Sequence, residues 1–148
     1  MSDMNQITLH DLGIEDYDEI LALWEVAGLP VRREGRDAPD RFVRQMTARR
    51  QRVVGLRDAA RLTAVVVLTH DGRKGWINRL AVDPAYRRRG LAGRLVAEAE
   101  RWFEEEQGLE IWAALIEGEN RDSQALFDAL NYRRHDVVYV SKRTRPEA

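Results

Sequence analysis

The residues of this chain best placed to do chemistry run from Arg87 to Gly93: Arg87, Arg88, Arg89, Gly90, Leu91, Ala92 and Gly93. They follow an apolar stretch, Leu80-Ala81-Val82, and an Asp83-Pro84 step. They precede Leu91, Leu95, Ala99 and Trp102, spaced as one stripe of a helix. Glycines at a strand-to-helix junction let the backbone turn tightly and let a ligand approach without meeting a Cβ. The N–H groups that open the helix have no intrahelical acceptor and, with the helix dipole, face a negative group. Guanidinium groups add bidentate hydrogen bonds to phosphate. The segment reads as an anion cradle. An arginine-rich turn can also be no more than a solvated loop, so the flanking elements decide.

Those elements alternate between strand and helix patterns. Gln6 to His10 reads as a first strand, and Ile14, Ile20, Leu21, Leu23 and Trp24 then recur at helical spacing until Gly28-Leu29-Pro30. Residues 28–40 form a charged loop, and Asp40 is a candidate N-cap for a helix carrying Phe42, Val43 and Met46. Gln51–Leu56 and Leu62–Thr69 read as strands. The Val65-Val66-Val67-Leu68 run suits a strand covered on both faces. Asp71-Gly72 marks a hairpin turn before a strand from Trp76 to Val82. A helix from Gly90 to about Gln107 ends at Gly108. Ile111–Ile116 reads as a buried strand, Asp122 or Ser123 opens a helix to Leu130, and Val137–Ser141 closes the chain as a strand. The fold class is α/β, built on a mixed, mostly antiparallel sheet.

Composition narrows the function classes. The 148 residues are enough for one domain, taken as 1–148, with a real core. Basic and acidic residues number 24 and 25, a net charge of −1, so no field of one sign draws the chain to nucleic acid or membrane. Neither a membrane-spanning run nor a signal-peptide pattern is present, which points to the cytoplasm. Zero cysteines exclude disulfides, thiolate metal sites and a cysteine acyl-enzyme. His10, His70 and His135 fall in no cluster with metal-ligand spacing, so no metal is expected.

The pattern Arg87-x-x-Gly90-x-Ala92 resembles the pyrophosphate-binding signature of the GNAT superfamily, the acyl-CoA-dependent N-acyltransferases. A second segment matches downstream: the strand around Ile111–Ile116, Asn120, the helix from Ser123 to Leu130, and Asn131-Tyr132. The resemblance covers about residues 62–142. It implies a GNAT-like sheet of about six to seven strands flanked by about four helices. Its parallel strands ending near Val82 and Ile116 splay apart to admit the cofactor. It also implies transfer from acetyl-CoA directly to a primary amine, on a small-molecule or peptide acceptor, by a monomer or homodimer. The rival reading is a non-catalytic acyl-CoA-binding sensor or interaction module.

By resemblance, the backbone around Leu80, Ala81 and Val82 donates to the acetyl carbonyl, and the 87–93 turn holds the CoA phosphates. Asn120 and Ser123 lie where the family contacts the pantetheine arm, although both are also natural helix-start residues. Phe127 takes a position that in many members is a tyrosine protonating the leaving thiolate, and Phe cannot donate a proton. The candidate acids are Tyr132, at a position that is usually a packing aromatic, and Tyr139 in the last strand, which reads more simply as a half-buried sheet aromatic. Asn131 replaces a glycine by tolerating a left-handed backbone. Trp76 and Leu115 fill positions where other members carry a titratable base. That leaves Glu117 as the candidate base, with an exposed loop acid as its alternative. Arg79, inside an apolar strand, faces either an acceptor carboxylate or a protein acid. Arg36 sits in the early loop that the family uses for acceptor choice.

Overall fold

The computed structural model describes residues 6–148. Its centre is the β-branched run Val65-Val66-Val67-Leu68, in which Val65 packs into one core and Val66 and Leu68 into another on the opposite face. A strand apolar on both faces needs a helical layer on each side. The sheet has five strands in the order β1 (Ile7–Asp11), β2 (Gln51–Asp58), β3 (Arg61–His70), β4 (Gly75–Val82) and β5 (Trp112–Ala114). Neighbours are antiparallel from β1 to β4, and β4 runs parallel to β5. Helices α1 (Tyr17–Val26) and α2 (Pro39–Met46) cover one face; α3 (Leu91–Arg101) and α4 (Arg121–Ala129) cover the other. The α/β class, the mixed sheet and the four helices are as expected.

Several boundaries differ. The sheet has five strands rather than six to seven. The expected closing strand, Val137–Ser141, pairs with no strand among the described residues, and Val137, Val138, Tyr139 and Val140 are 71–86% exposed. Its β-branched composition signals a strand, but a strand forms only where the chain lays it beside a sheet edge. The buried strand expected over 111–116 shrinks to three residues, with Ile111 and Leu115 exposed, because β4 and β5 separate there. Helix α2 is capped by Ala38 with Pro39 in its first turn, not by Asp40. Proline favours that position because its missing N–H would have been unpaired there. Helix α3 continues past Arg101 through a π-type turn, with Gln107 N–H donating to the Trp102 carbonyl at 3.0 Å. Gly108, at φ +66°, ends it as expected.

Helix α3 is tied to the sheet through charge. Glu98 accepts from Arg52 of β2 at 3.0 Å and from Arg101 one turn on at 2.5 Å, and Arg52 also reaches Asp11 of β1 at 2.6 Å. Hydrogen bonding from Arg101, joined by Arg52, holds the Glu98 carboxyl below its ordinary range despite partial burial. This fastens the helix whose N-terminus forms the cradle.

Candidate active site

The parallel strands β4 and β5 pair at Gly75–Trp112, Trp76–Ala113 and Ile77–Ala114, and then part. Immediately beyond the last pair, β4 bulges. Val67 faces Asn78 and Val65 faces Ala81 across the ladder, so Arg79 and Leu80 together oppose the single residue Val66. Arg79 absorbs the kink at φ +54°, uncommon for a residue other than glycine. A bulge takes its extra residue out of the ladder and turns the strand. The gap that opens is a cleft lined by Ile77, Arg79 and Leu80 of β4, by Ala114 at the end of β5 and by residues 115–117 after it. Asn120, Ser123 and Phe127 of the α4 region and Leu29 and Pro30 after α1 complete it.

Along the same strand, Ala81 packs into the α1/α2 core and Val82 against the α3 side, so neither side chain is free for a ligand. Only their backbone could serve one. The chain then turns through Asp83. Its buried carboxylate accepts from Ala85 N–H at 2.9 Å and Arg61 at 2.7 Å. Burial alone would raise the Asp83 pKa, but these two bonds and nearby Arg87 bring it below the usual value.

Next comes the cradle. Arg88 adopts φ +64°, and Gly90 adopts φ +74° as the N-cap of α3, with open space where a Cβ would project. No side chain caps α3, and its first intrahelical bond runs from Arg94 N–H to the Gly90 carbonyl at 3.1 Å. The N–H groups of Leu91, Ala92 and Gly93 therefore precede the helical ladder and point out of its end. The Leu91 side chain itself is buried in the core. Arg87, Arg88 and Arg89 are exposed, and none has a carboxylate within 4.0 Å among the described residues. Elsewhere Arg33, Arg52, Arg57, Arg61, Arg101 and Arg134 all form ion pairs. Three unneutralised guanidinium groups beside a helix N-terminus make a strong local field for a polyanion.

The sequence of one family model fits this chain from residue 10 to residue 132: the acetyltransferase (GNAT) family. The chain belongs to the GNAT acetyltransferase family. Among solved structures, an aminoglycoside N-acetyltransferase in complex with CoA superposes with a TM-score of 0.74 at 16% identity, covering 94% of this chain and 95% of that one. A ribosomal-protein-alanine N-acetyltransferase from Brucella melitensis biovar Abortus 2308 gives 0.72 at 15% identity, covering 93% and 99%. The PaiA N-acetyltransferase from Thermoplasma acidophilum, in complex with coenzyme A, gives 0.77 at 16%, covering 89% and 92%. At such identities the likeness is one of fold. No curated protein matches in sequence.

The residues present in this acetyltransferase suit CoA. An uncapped helix N-terminus, a left-handed Gly90 with no atom within 4 Å of its would-be Cβ, and three arginines without an ion pair among the described residues, Arg89 resting on the Tyr86 ring, match a pyrophosphate in charge and in room. Asn120 is the α4 N-cap, its Oδ1 accepting from Ser123 N–H at 3.1 Å, and it also lines the cleft. Phe127 lines the cleft with its ring buried, in edge contact with Tyr132 at 4.8 Å.

Tyr132 lies behind Phe127 and is not a cleft-lining residue; its hydroxyl donates to Glu100 at 2.7 Å. Burial and that bond push its pKa well above the ordinary tyrosine value. Asn131 holds φ +67°, the left-handed conformation expected of it. Glu117 sits at the open mouth of the cleft.

On the acceptor side, Arg79 stacks on Trp24 at 4.3 Å, receives a hydrogen bond from Trp24 Nε1 to its carbonyl at 3.2 Å, and donates Nη2 to the Pro30 carbonyl at 2.7 Å. The alternative of a protein ion pair is not what forms: no acid is within 4.0 Å among the described residues, and its Nε is buried without a partner. Burial depresses its pKa, with Asp37 opposing and Arg36 reinforcing the shift. Arg36 is exposed on the loop before α2 and is not in the cleft wall. Sequence reasoning missed Trp24 as the residue that seats Arg79. It also missed Leu29 and Pro30 as cleft walls, although Gly28-Leu29-Pro30 marked the end of α1.

Proposed function

We propose that this acetyltransferase moves an acetyl group from acetyl-CoA directly to a primary amine, both substrates being bound at once. The observation that carries this reading is the arrangement of a single stretch of chain. The bulged end of β4 forms one wall of an open cleft and leads within a few residues to an uncapped, arginine-flanked helix N-terminus. Acetyl-CoA, when bound, supplies the activated acyl carbon. The N–H groups of residues 91–93 and the Arg87–Arg89 side chains hold the phosphates. The backbone N–H of Leu80, in the bulge beside the cleft, is the proposed donor to developing negative charge. With no cysteine in the chain, a cysteinyl acyl-enzyme plays no part.

An alkylammonium with a pKa near about 10.4 must lose a proton before it can attack. Glu117, the carboxylate in the cleft wall, is the proposed acceptor of that proton, directly or through water. Tyr132, held by Glu100 with its proton firmly retained, packs behind Phe127 in this reading. For the acceptor, the Arg79 guanidinium in the cleft wall, with no acid within 4.0 Å among the described residues, favours a carboxylate or phosphate beside the amine. Release of CoA thiol across a panel of amines, alongside calorimetric CoA binding, tests the proposal. CoA binding without turnover of any amine would leave a non-catalytic acyl-CoA-binding module, and no CoA binding at all would defeat both.

A further inference from the structure

The peptide that joins Arg79 to Leu80 carries two groups with different roles. Its N–H is the proposed donor to the acetyl carbonyl. Its C=O accepts from the Trp24 indole Nε1 at 3.2 Å. A trans peptide is planar, with its N–H and C=O pointing in opposite directions. Whatever fixes the carbonyl therefore also aims the N–H.

No glycine eases the backbone at this point. Arg79 stands at φ +54°, where it and Leu80 together oppose Val66, so contacts from outside the strand must hold the kink. They come from the end of α1. Trp24 is buried, and its own backbone is locked by the helix terminus: Gly28, at φ +88°, donates to the Glu25 carbonyl at 3.1 Å, and Leu29 donates to the Trp24 carbonyl at 2.9 Å. Pro30, next in the chain, accepts from Arg79 Nη2 at 2.7 Å, and the Arg79 guanidinium lies over the Trp24 ring at 4.3 Å. Trp24, Leu29-Pro30 and Arg79 thus close a circuit around the kinked peptide. A buried indole N–H needs an acceptor. The one it takes here is the carbonyl of the peptide that ends in the Leu80 N–H, and the bond polarises that peptide and strengthens its N–H as a donor. We propose that Trp24 is a positioning residue for acetyl transfer: by holding the Arg79 carbonyl it aims the Leu80 N–H at the acetyl oxygen. Trp24 is not among the cleft-lining residues, so it acts through the peptide and not on a substrate. The inference rests on the acetyl-transfer reading with Leu80 as donor.

Trp24→Phe tests it, because Phe lacks the N–H and keeps a ring under Arg79. Its kcat should fall at least about tenfold, short of the roughly 10²–10³ that follows outright loss of such a donor. CoA affinity should hold, and KM for the acceptor should change by less than kcat does. A second readout is vibrational and needs no acceptor. With acetyl-CoA isotope-labelled at its acetyl carbonyl, the bound carbonyl stretch should lie lower in the wild type than in Trp24→Phe, since an aimed donor polarises it. If Trp24→Phe fails to fold, a chain carrying the benzothiophene analogue of the Trp24 indole, with sulfur for N–H in the same shape, replaces it. A variant with wild-type kcat, or with an unmoved carbonyl band, overturns the proposal. So does a loss shared equally by kcat, CoA affinity and Tm, which would mark Trp24 as a core residue alone. Failure of the underlying reading shows in the wild type instead. No CoA binding there defeats acetyl transfer, and a bound carbonyl band no lower than that of free acetyl-CoA defeats Leu80 as donor; either result ends this inference as well.

Discussion

Replacing Gly90 by Val tests the cradle at its most sensitive point. Gly90 sits at φ +74°, and a Cβ built there meets no atom within 4 Å, so the substitution creates no clash in the free protein. Its cost to folding is conformational, about 1–2 kcal/mol for a side-chain-bearing residue held in the left-handed region. For a domain of this size that lowers Tm by roughly 2–8 °C. The same Cβ, carrying two methyl groups, projects into the space a pyrophosphate would occupy at the end of α3. Each N–H to phosphate bond that is lost is worth about 1.5–3 kcal/mol, a 10- to 100-fold loss of CoA affinity per bond.

Gly90→Asn separates the two effects, because asparagine tolerates a left-handed backbone yet still places side-chain atoms in that space. It should melt close to the wild type and still bind CoA at least about tenfold more weakly. Titration calorimetry with CoA, at a temperature where each variant is folded by circular dichroism, reads the affinity. Folded Gly90→Val and Gly90→Asn proteins that bind CoA as tightly as the wild type would show that the phosphates lie elsewhere.

Four further outcomes are expected. Glu117→Gln should lower kcat by about 10²–10⁴ with CoA affinity intact; unchanged turnover excludes Glu117 as base. Tyr132→Phe removes the 2.7 Å bond to Glu100 and should cost about 1.5–3 kcal/mol in chemical denaturation while sparing kcat; a kcat collapse at unchanged stability would restore Tyr132 as the acid. Arg79→Ala should raise KM for carboxylate-bearing amines about 10- to 100-fold and leave KM for acetyl-CoA alone, whereas a polyamine as the best wild-type acceptor would refute the anionic-acceptor reading. Glu98, whose pKa is lowered from 4.5, contributes stability that is complete above that value and is lost as pH falls through the folded-state pKa. Tm should therefore drop below about pH 4.5, and Glu98→Gln should flatten that drop.

What could be read from the sequence follows from how local each signal is. The cradle is written in adjacent residues: three arginines, a glycine that must take a left-handed backbone, and a helix stripe starting at Leu91. Its place and its unpaired charge therefore emerge together. The double-faced β3 was legible for the same reason, its periodicity being carried by consecutive valines. The bulge at Arg79 was not, because no glycine marks it; Trp24, distant in sequence, stacks on the side chain and binds the carbonyl of the kinked residue. Asn78-Arg79-Leu80 reads as ordinary strand, and only the two-against-one register opposite Val66 reveals the turn that opens the cleft. Val137–Val140 errs in the other direction. Its residues have every property of a strand, yet none of them pairs with a strand among the described residues. Composition marks a segment as strand-like, and only its three-dimensional position decides whether a sheet edge lies beside it.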